Sequence, residues 1–100
     1  MTAAEKILRS LRTGEENGLP LTEVIRISGL DNRTARLVIE AMRRDGVVIC
    51  ASERGYFYPA THEELRRYVQ RELRRAYSVL DTIKFACRAL DDMEAGNENG

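Results

Sequence analysis

Residues 46–60, GVVICASERGYFYPA, read as two short strands of apolar and aromatic residues around a polar turn, Ser52-Glu53-Arg54-Gly55. The segments on either side have helical periodicity and are rich in arginine. The pattern therefore predicts a mainly α protein with one small β-hairpin set between helices. By the two-residue period of a strand, Tyr56 and Tyr58 share one face and are expected in the core. Phe57 then points the other way and is expected to be covered by the helix that starts a few residues later.

Three helices are expected before the hairpin. Thr2 and Glu5 have the spacing of a capping box, and Ile7, Leu8 and Leu11 give one apolar face to a helix ending near Arg12. Residues 13–20, TGEENGLP, form a loop that leads to a short extended piece at residues 19–21. Thr22 is placed to cap a second helix through Ile27, with Val24, Ile25 and Ile27 inward and Ser28-Gly29 as its stop. Asp31 is a good N-cap for a third helix running to about Arg44 and ended by Gly46. Its inner stripe is Ala35, Val38, Ile39 and Met42.

Two helices joined by a short glycine-containing turn are the signature of a helix-turn-helix, whose second helix enters the DNA major groove. With the stripe turned inward, the outer surface of the third helix carries Asn32, Arg33, Thr34, Arg36, Glu40 and Arg43. Asn32, Arg33 and Arg36 lie in the first turns, where a recognition helix reaches deepest. Arg there can make two bonds to guanine and Asn two to adenine. Arg36 and Glu40 also have the spacing of a helix-stabilising ion pair.

These residues resemble the winged helix-turn-helix DNA-binding family, in particular the N-terminal domains of biotin operon repressors, and the small helix-turn-helix proteins of prophages and mobile elements. The similarity covers about residues 5–60 and rests on four features. They are the Gly29-Leu30 turn, the inward Ala35, Ile39 and Met42, the run from Arg43 through Gly46-Val47, and the end of the hairpin from Gly55-Tyr56 to Pro59. The resemblance implies that the hairpin is a wing, pairs with an extended segment at residues 19–21, and brings Arg54 at its tip to the DNA backbone or minor groove. The turn is short for a wing, and Glu53 beside Arg54 repels phosphate.

After Pro59 a second capping box, Thr61 to Glu64, opens a helix expected to stay periodic to about Leu90, with His62 as its first residue. Val69, Leu73, Ala76, Leu80, Ile83, Cys87 and Leu90 step by 4, 3, 4, 3, 4 and 3, a heptad seam that favours a partner helix. Leu65 extends the seam backward, and Tyr68, Tyr77, Val79, Phe85 and Ala86 widen it. Residues 61–90 also cluster Arg66, Arg67, Arg71, Arg74 and Arg75, which serve solubility or flanking phosphate contact. Residues 91–100, DDMEAGNENG, carry four acids and no base and read as an acidic disordered tail. The expected organisation is a DNA-binding domain at 1–60, a dimerising helix at 61–90 and that tail.

A chain of 100 residues supports one modest core. Its sixteen Lys and Arg are balanced by sixteen Asp and Glu, so a polyanionic partner must be argued from where charges sit. No apolar run reaches the roughly 18 residues of a membrane span, and the N-terminus lacks a signal-peptide layout, so a cytoplasmic protein is expected. Cys50, Cys87 and the lone His62 have no metal-ligand spacing, and no acid–base pair, nucleophile constellation or phosphate loop points to an enzyme or a cofactor. The expected function is sequence-specific binding of double-stranded DNA by a homodimeric transcriptional regulator. The alternative is a protein-interaction adaptor within a replication or mobile-element complex, which the zero net charge favours.

Overall fold

The computed structural model describes residues 1–99, with side chains through residue 96. In chain order the elements are α1 (Ala3–Ser10), a single 3-10 turn (Glu15–Asn17), α2 (Leu21–Ser28), α3 (Asn32–Arg44), β1 (Cys50–Ser52), β2 (Gly55–Phe57) and α4 (His62–Asn99). The protein is mainly helical with one small antiparallel hairpin. Two compact units divide it, Met1–Tyr68 and the chain from Val69 onward. The first unit thus takes in the opening turns of α4.

Local chemistry sets most of the helix ends. Thr2 caps α1, its Oγ1 accepting the Glu5 N–H at 3.1 Å. That helix ends two residues before its periodicity suggests, because Leu11 leaves helical geometry and becomes an extended C-cap. The second helix starts earlier than Thr22: Pro20 is its N-cap, and the Pro20 carbonyl accepts from Glu23 and Val24. The cause lies one residue upstream. The Leu19 N–H and carbonyl are both bonded to Tyr56, at 2.8 and 2.9 Å, so extended pairing ends there and the helix follows directly. Leu19 alone, not residues 19–21, pairs with the hairpin.

Gly29 closes α2 in the left-handed conformation, φ 74°, its N–H returned to the Ile25 carbonyl at 2.9 Å. Asp31 then caps α3, its carboxylate accepting the Thr34 N–H at 2.7 Å. This bond holds the Asp31 carboxyl below its ordinary range, since it favours the charged form. At the far end of α3, Val47 N–H bonds the Met42 carbonyl and Gly46 N–H bonds that of Arg43, a Schellman closure that redirects the chain toward β1.

The core gathers Ile7 and Leu11 of the first segment, Val24, the Ala35, Ile39 and Met42 stripe, and Ile49. Burying each large aliphatic side chain among these contributes about 1.5–3 kcal/mol. Val38, Tyr56 and Tyr58 are half-buried against the cluster, and the Tyr58 hydroxyl donates to the Leu8 carbonyl at 2.8 Å. In the hairpin Cys50 stands opposite Phe57, Ala51 opposite Tyr56 and Ser52 opposite Gly55. Phe57 and Cys50, on the face away from Tyr56, are both buried, Phe57 to 2% exposure. Phe57 is therefore not an exposed contact residue. Backbone bonds Tyr58 N–H to Arg12 and Gly14 N–H to Tyr58, at 2.9 and 2.8 Å, stitch the loop before α2 to the strand.

The capping box that opens α4 is complete: Thr61 Oγ1 accepts from Glu64 N–H, and Glu64 Oε1 accepts from Ala60 N–H. Arg67 reaches Glu15 at 3.1 Å, tying these turns to the 3-10 segment. The helix does not stop near Leu90. It continues to Asn99 through most of the stretch read as a disordered tail, and residue 100 lies outside the described residues. No proline interrupts this stretch, although its acids sit at the end of the helix where the dipole opposes them. No helix among the described residues is long and apolar enough to cross a membrane.

Candidate nucleic-acid interface

The turn and the two caps decide which side of α3 is free. Gly29 ends α2, Asp31 starts α3, and the burial of Ala35, Ile39 and Met42 leaves Asn32, Arg33, Thr34, Arg36 and Glu40 exposed. Neither Arg33 nor Arg36 has a hydrogen bond or ion pair with another described residue. Glu40 is bound to Arg44 at 2.8 Å and not to Arg36, so the expected Arg36–Glu40 pair is absent. Among i,i+4 pairs, Glu ahead of Arg suits the helix dipole better than Arg ahead of Glu, which favours the observed choice. The first three turns of α3 thus present two uncommitted guanidiniums and one amide.

Arg43 has a different place. It is half-buried, and its Nε donates to the Ile49 carbonyl at 2.8 Å. The guanidinium carbon lies 5.9 Å from the Tyr56 ring centre and 5.1 Å from that of Tyr68. One terminal nitrogen is buried without a hydrogen-bond partner. Arg43 joins α3, the hairpin and the start of α4, and is not part of the outer surface with Arg33 and Arg36.

Arg54 occupies the hairpin turn and is exposed; its backbone N–H is held by the Ser52 hydroxyl at 3.1 Å. The turn is fixed closely. A side chain at Gly18 would collide with the Arg54 carbonyl, and one at Gly55 with the backbone of Leu19. The tip therefore has a defined position against the extended segment, and only the Glu53 and Arg54 side chains are free to reach outward.

Leu37 was missed by the sequence reading. It is half exposed on the polar side of α3, one helical turn beyond Arg33. An apolar residue at an otherwise charged outward position was the signal. Such a side chain can pack on a thymine methyl group or on an apolar patch of a protein.

The seam residues Val69, Leu73, Ala76, Leu80, Ile83, Cys87 and Leu90 are all exposed. Among the described residues no group of His, Cys, Asp and Glu side chains is placed to hold a metal ion. No protein-family model, curated protein or solved structure matches this chain.

Proposed function

We propose that residues 1–68 act as a winged helix-turn-helix domain that binds double-stranded DNA, and that α4 joins two copies into a homodimeric transcriptional regulator. The observation that carries this reading is the free, exposed group of Asn32, Arg33 and Arg36 in the opening turns of a helix fixed by the Gly29 turn and the Asp31 cap. Donors so arranged match the base edges of the major groove, and Arg54 on the hairpin tip supplies a phosphate contact beside it. One such domain, with a net charge of only +1 over residues 1–68, has few phosphate contacts and binds weakly at physiological salt. A dimer overcomes this by raising the effective concentration of the second domain once the first is bound.

Exposed Leu37, together with the zero net charge, supports a second reading, an adaptor that contacts another protein through the same helix. Selection from randomised duplexes, followed by anisotropy titration at several salt concentrations, separates the two. DNA readout requires an enriched motif and an affinity that falls with salt by a slope of about 0.9 per phosphate contact. Micromolar, sequence-blind and salt-insensitive binding would leave the adaptor.

A further inference from the structure

The side of α4 from Val69 to Glu94 is regular enough to say how a second copy would lie on it. Leu73, Leu80, Cys87 and Glu94 occupy the a positions of the heptad, and Val69, Ala76, Ile83 and Leu90 the d positions. Val79, Ala86 and Met93 add an apolar row at g, and all of these side chains are exposed. From this pattern we propose that α4 pairs with α4 of a second copy in the antiparallel sense, Leu80 packing on Ile83 of the partner subunit. The proposal rests on the homodimer reading and specifies its geometry.

Charge is the first argument. Residues 69–76 carry Arg71, Arg74 and Arg75 against Glu72, net +2, and residues 87–94 carry Asp91, Asp92 and Glu94 against Arg88, net −2. In the antiparallel register that sets Leu80 on Ile83, these two windows face each other at both ends. In a parallel pair each would face its own copy, and Glu94 would meet Glu94 inside the seam. Like charges at such positions are destabilising, and complementary ones set partner orientation.

Side-chain size is the second. The antiparallel register forms layers of Leu73 with Leu90, Leu80 with Ile83 and Cys87 with Ala76, so bulky residues meet bulky ones and the small pair shares a layer, while Val69 with Glu94 forms the outermost layer at each end. A shallow groove lined by Glu72, Arg75, Ala76, Val79 and Leu80 already marks the place beside Ala76 where a knob would seat. A parallel pair instead stacks Ala76 on Ala76, a layer smaller than Ala76 with Cys87 and so poorer in packing contacts.

Light scattering at 100 μM, and cross-linking by copper phenanthroline read by non-reducing electrophoresis, test the proposal in separate steps. The expected results are a species of twice the chain mass, no disulfide dimer for the wild type, a disulfide dimer for Ala76→Cys, and none for Ala76→Cys combined with Cys87→Ser. Buried Cys50 stays out of the reaction. A dimer whose wild type cross-links through Cys87, or whose double variant still cross-links, is parallel and overturns the orientation. A dimer in which Ala76→Cys fails to cross-link overturns the register. A monomer overturns the homodimer itself, whereas DNA readout by α3 is judged independently by the selection experiment.

Discussion

Arg43 lies with its guanidinium carbon 5.1 Å from the centre of the Tyr68 ring, so a cation on α3 is held by an aromatic residue of α4. Tyr56 stands 5.9 Å away on the hairpin, and the Ile49 carbonyl accepts from Nε. This cation links the outer elements of the first unit. Arg43→Ala should cost about 2–4 kcal/mol, combining a partly desolvated cation–π contact with a charged hydrogen bond to a buried carbonyl. Arg43→Lys should recover little, since an ammonium lacks the planar fork. Urea unfolding measures both; a loss under about 0.5 kcal/mol, the range of ordinary surface substitutions, would contradict the structural role.

The opposite profile is expected at Arg33 and Arg36, which no described residue engages. Either changed to Ala should leave the urea midpoint within about 0.5 kcal/mol of wild type while weakening binding to a selected duplex by about 1–3 kcal/mol and relaxing its base preference. Arg54→Ala should lower affinity equally for all sequences and flatten the salt slope by roughly one. Unchanged affinity and selectivity in both α3 variants at matched salt would remove α3 as the reader.

These contrasts show what was legible in the chain and what was not. The stripe of Ala35, Ile39 and Met42, the Asp31 cap and the Gly29 stop are written in short-range spacing, and each stands where that spacing puts it. The inward turn of Arg43 depends on tyrosines 13 and 25 residues later, and no local period carries that information. The start of α2 at Leu21 was hidden for the same reason, since it follows from the pairing of Leu19 with a strand far along the chain. Glu40 is a different case. Its two candidate partners are equally spaced, and the direction of the helix dipole, which selects Arg44, was available in the residues themselves.

Gly55 should be intolerant of any side chain. Its φ of 112° is a conformation that L-residues rarely adopt, and an added Cβ would enter the Leu19 backbone. The backbone strain alone costs about 1–3 kcal/mol, and the collision adds to it because a backbone, unlike a flexible side chain, cannot swing aside. Gly55→Ala should therefore lower the thermal midpoint clearly, whereas Gly29→Ala meets only the strain, with open space around the added methyl. Equal stability of the two variants would show that the hairpin relaxes away from Leu19.

The two cysteines should differ sharply in reactivity. Burial pushes the Cys50 thiol above its ordinary range, opposed in part by the nearby Arg43, whereas Cys87 is exposed. Thiolate is the reacting species, so iodoacetamide should modify Cys87 in folded single chains, as in the Leu80→Glu variant, and Cys50 only on unfolding. The same shift makes stability fall with alkali. A folded-state value above the unfolded one leaves the Cys50 contribution intact below about pH 8.5 and removes it progressively as pH rises toward the folded value. Cys50→Ala should reduce this alkaline loss and Cys87→Ser should leave it unchanged, as followed by urea midpoints between neutral and alkaline pH. Rapid labelling of both thiols in native protein would contradict the burial of Cys50.

Leu80→Glu separates association from folding. Leu80 is 58% exposed in the single chain, so the change should leave the unfolding of the first unit as in the wild type. In the homodimer the same position is mid-seam, and a carboxylate there is either buried without a partner, at a cost of several kcal/mol, or forces the helices apart. Light scattering should find wild type at twice the chain mass and Leu80→Glu at the mass of one chain, 11.4 kDa, at the same micromolar concentration. Affinity for a selected two-site duplex should fall by about 10²-fold or more, because the second domain loses its effective concentration, while affinity for a single half-site should be unchanged. Equal losses on both duplexes would mean that the substitution damages the DNA-binding unit itself, and no loss on either would mean that each copy binds alone.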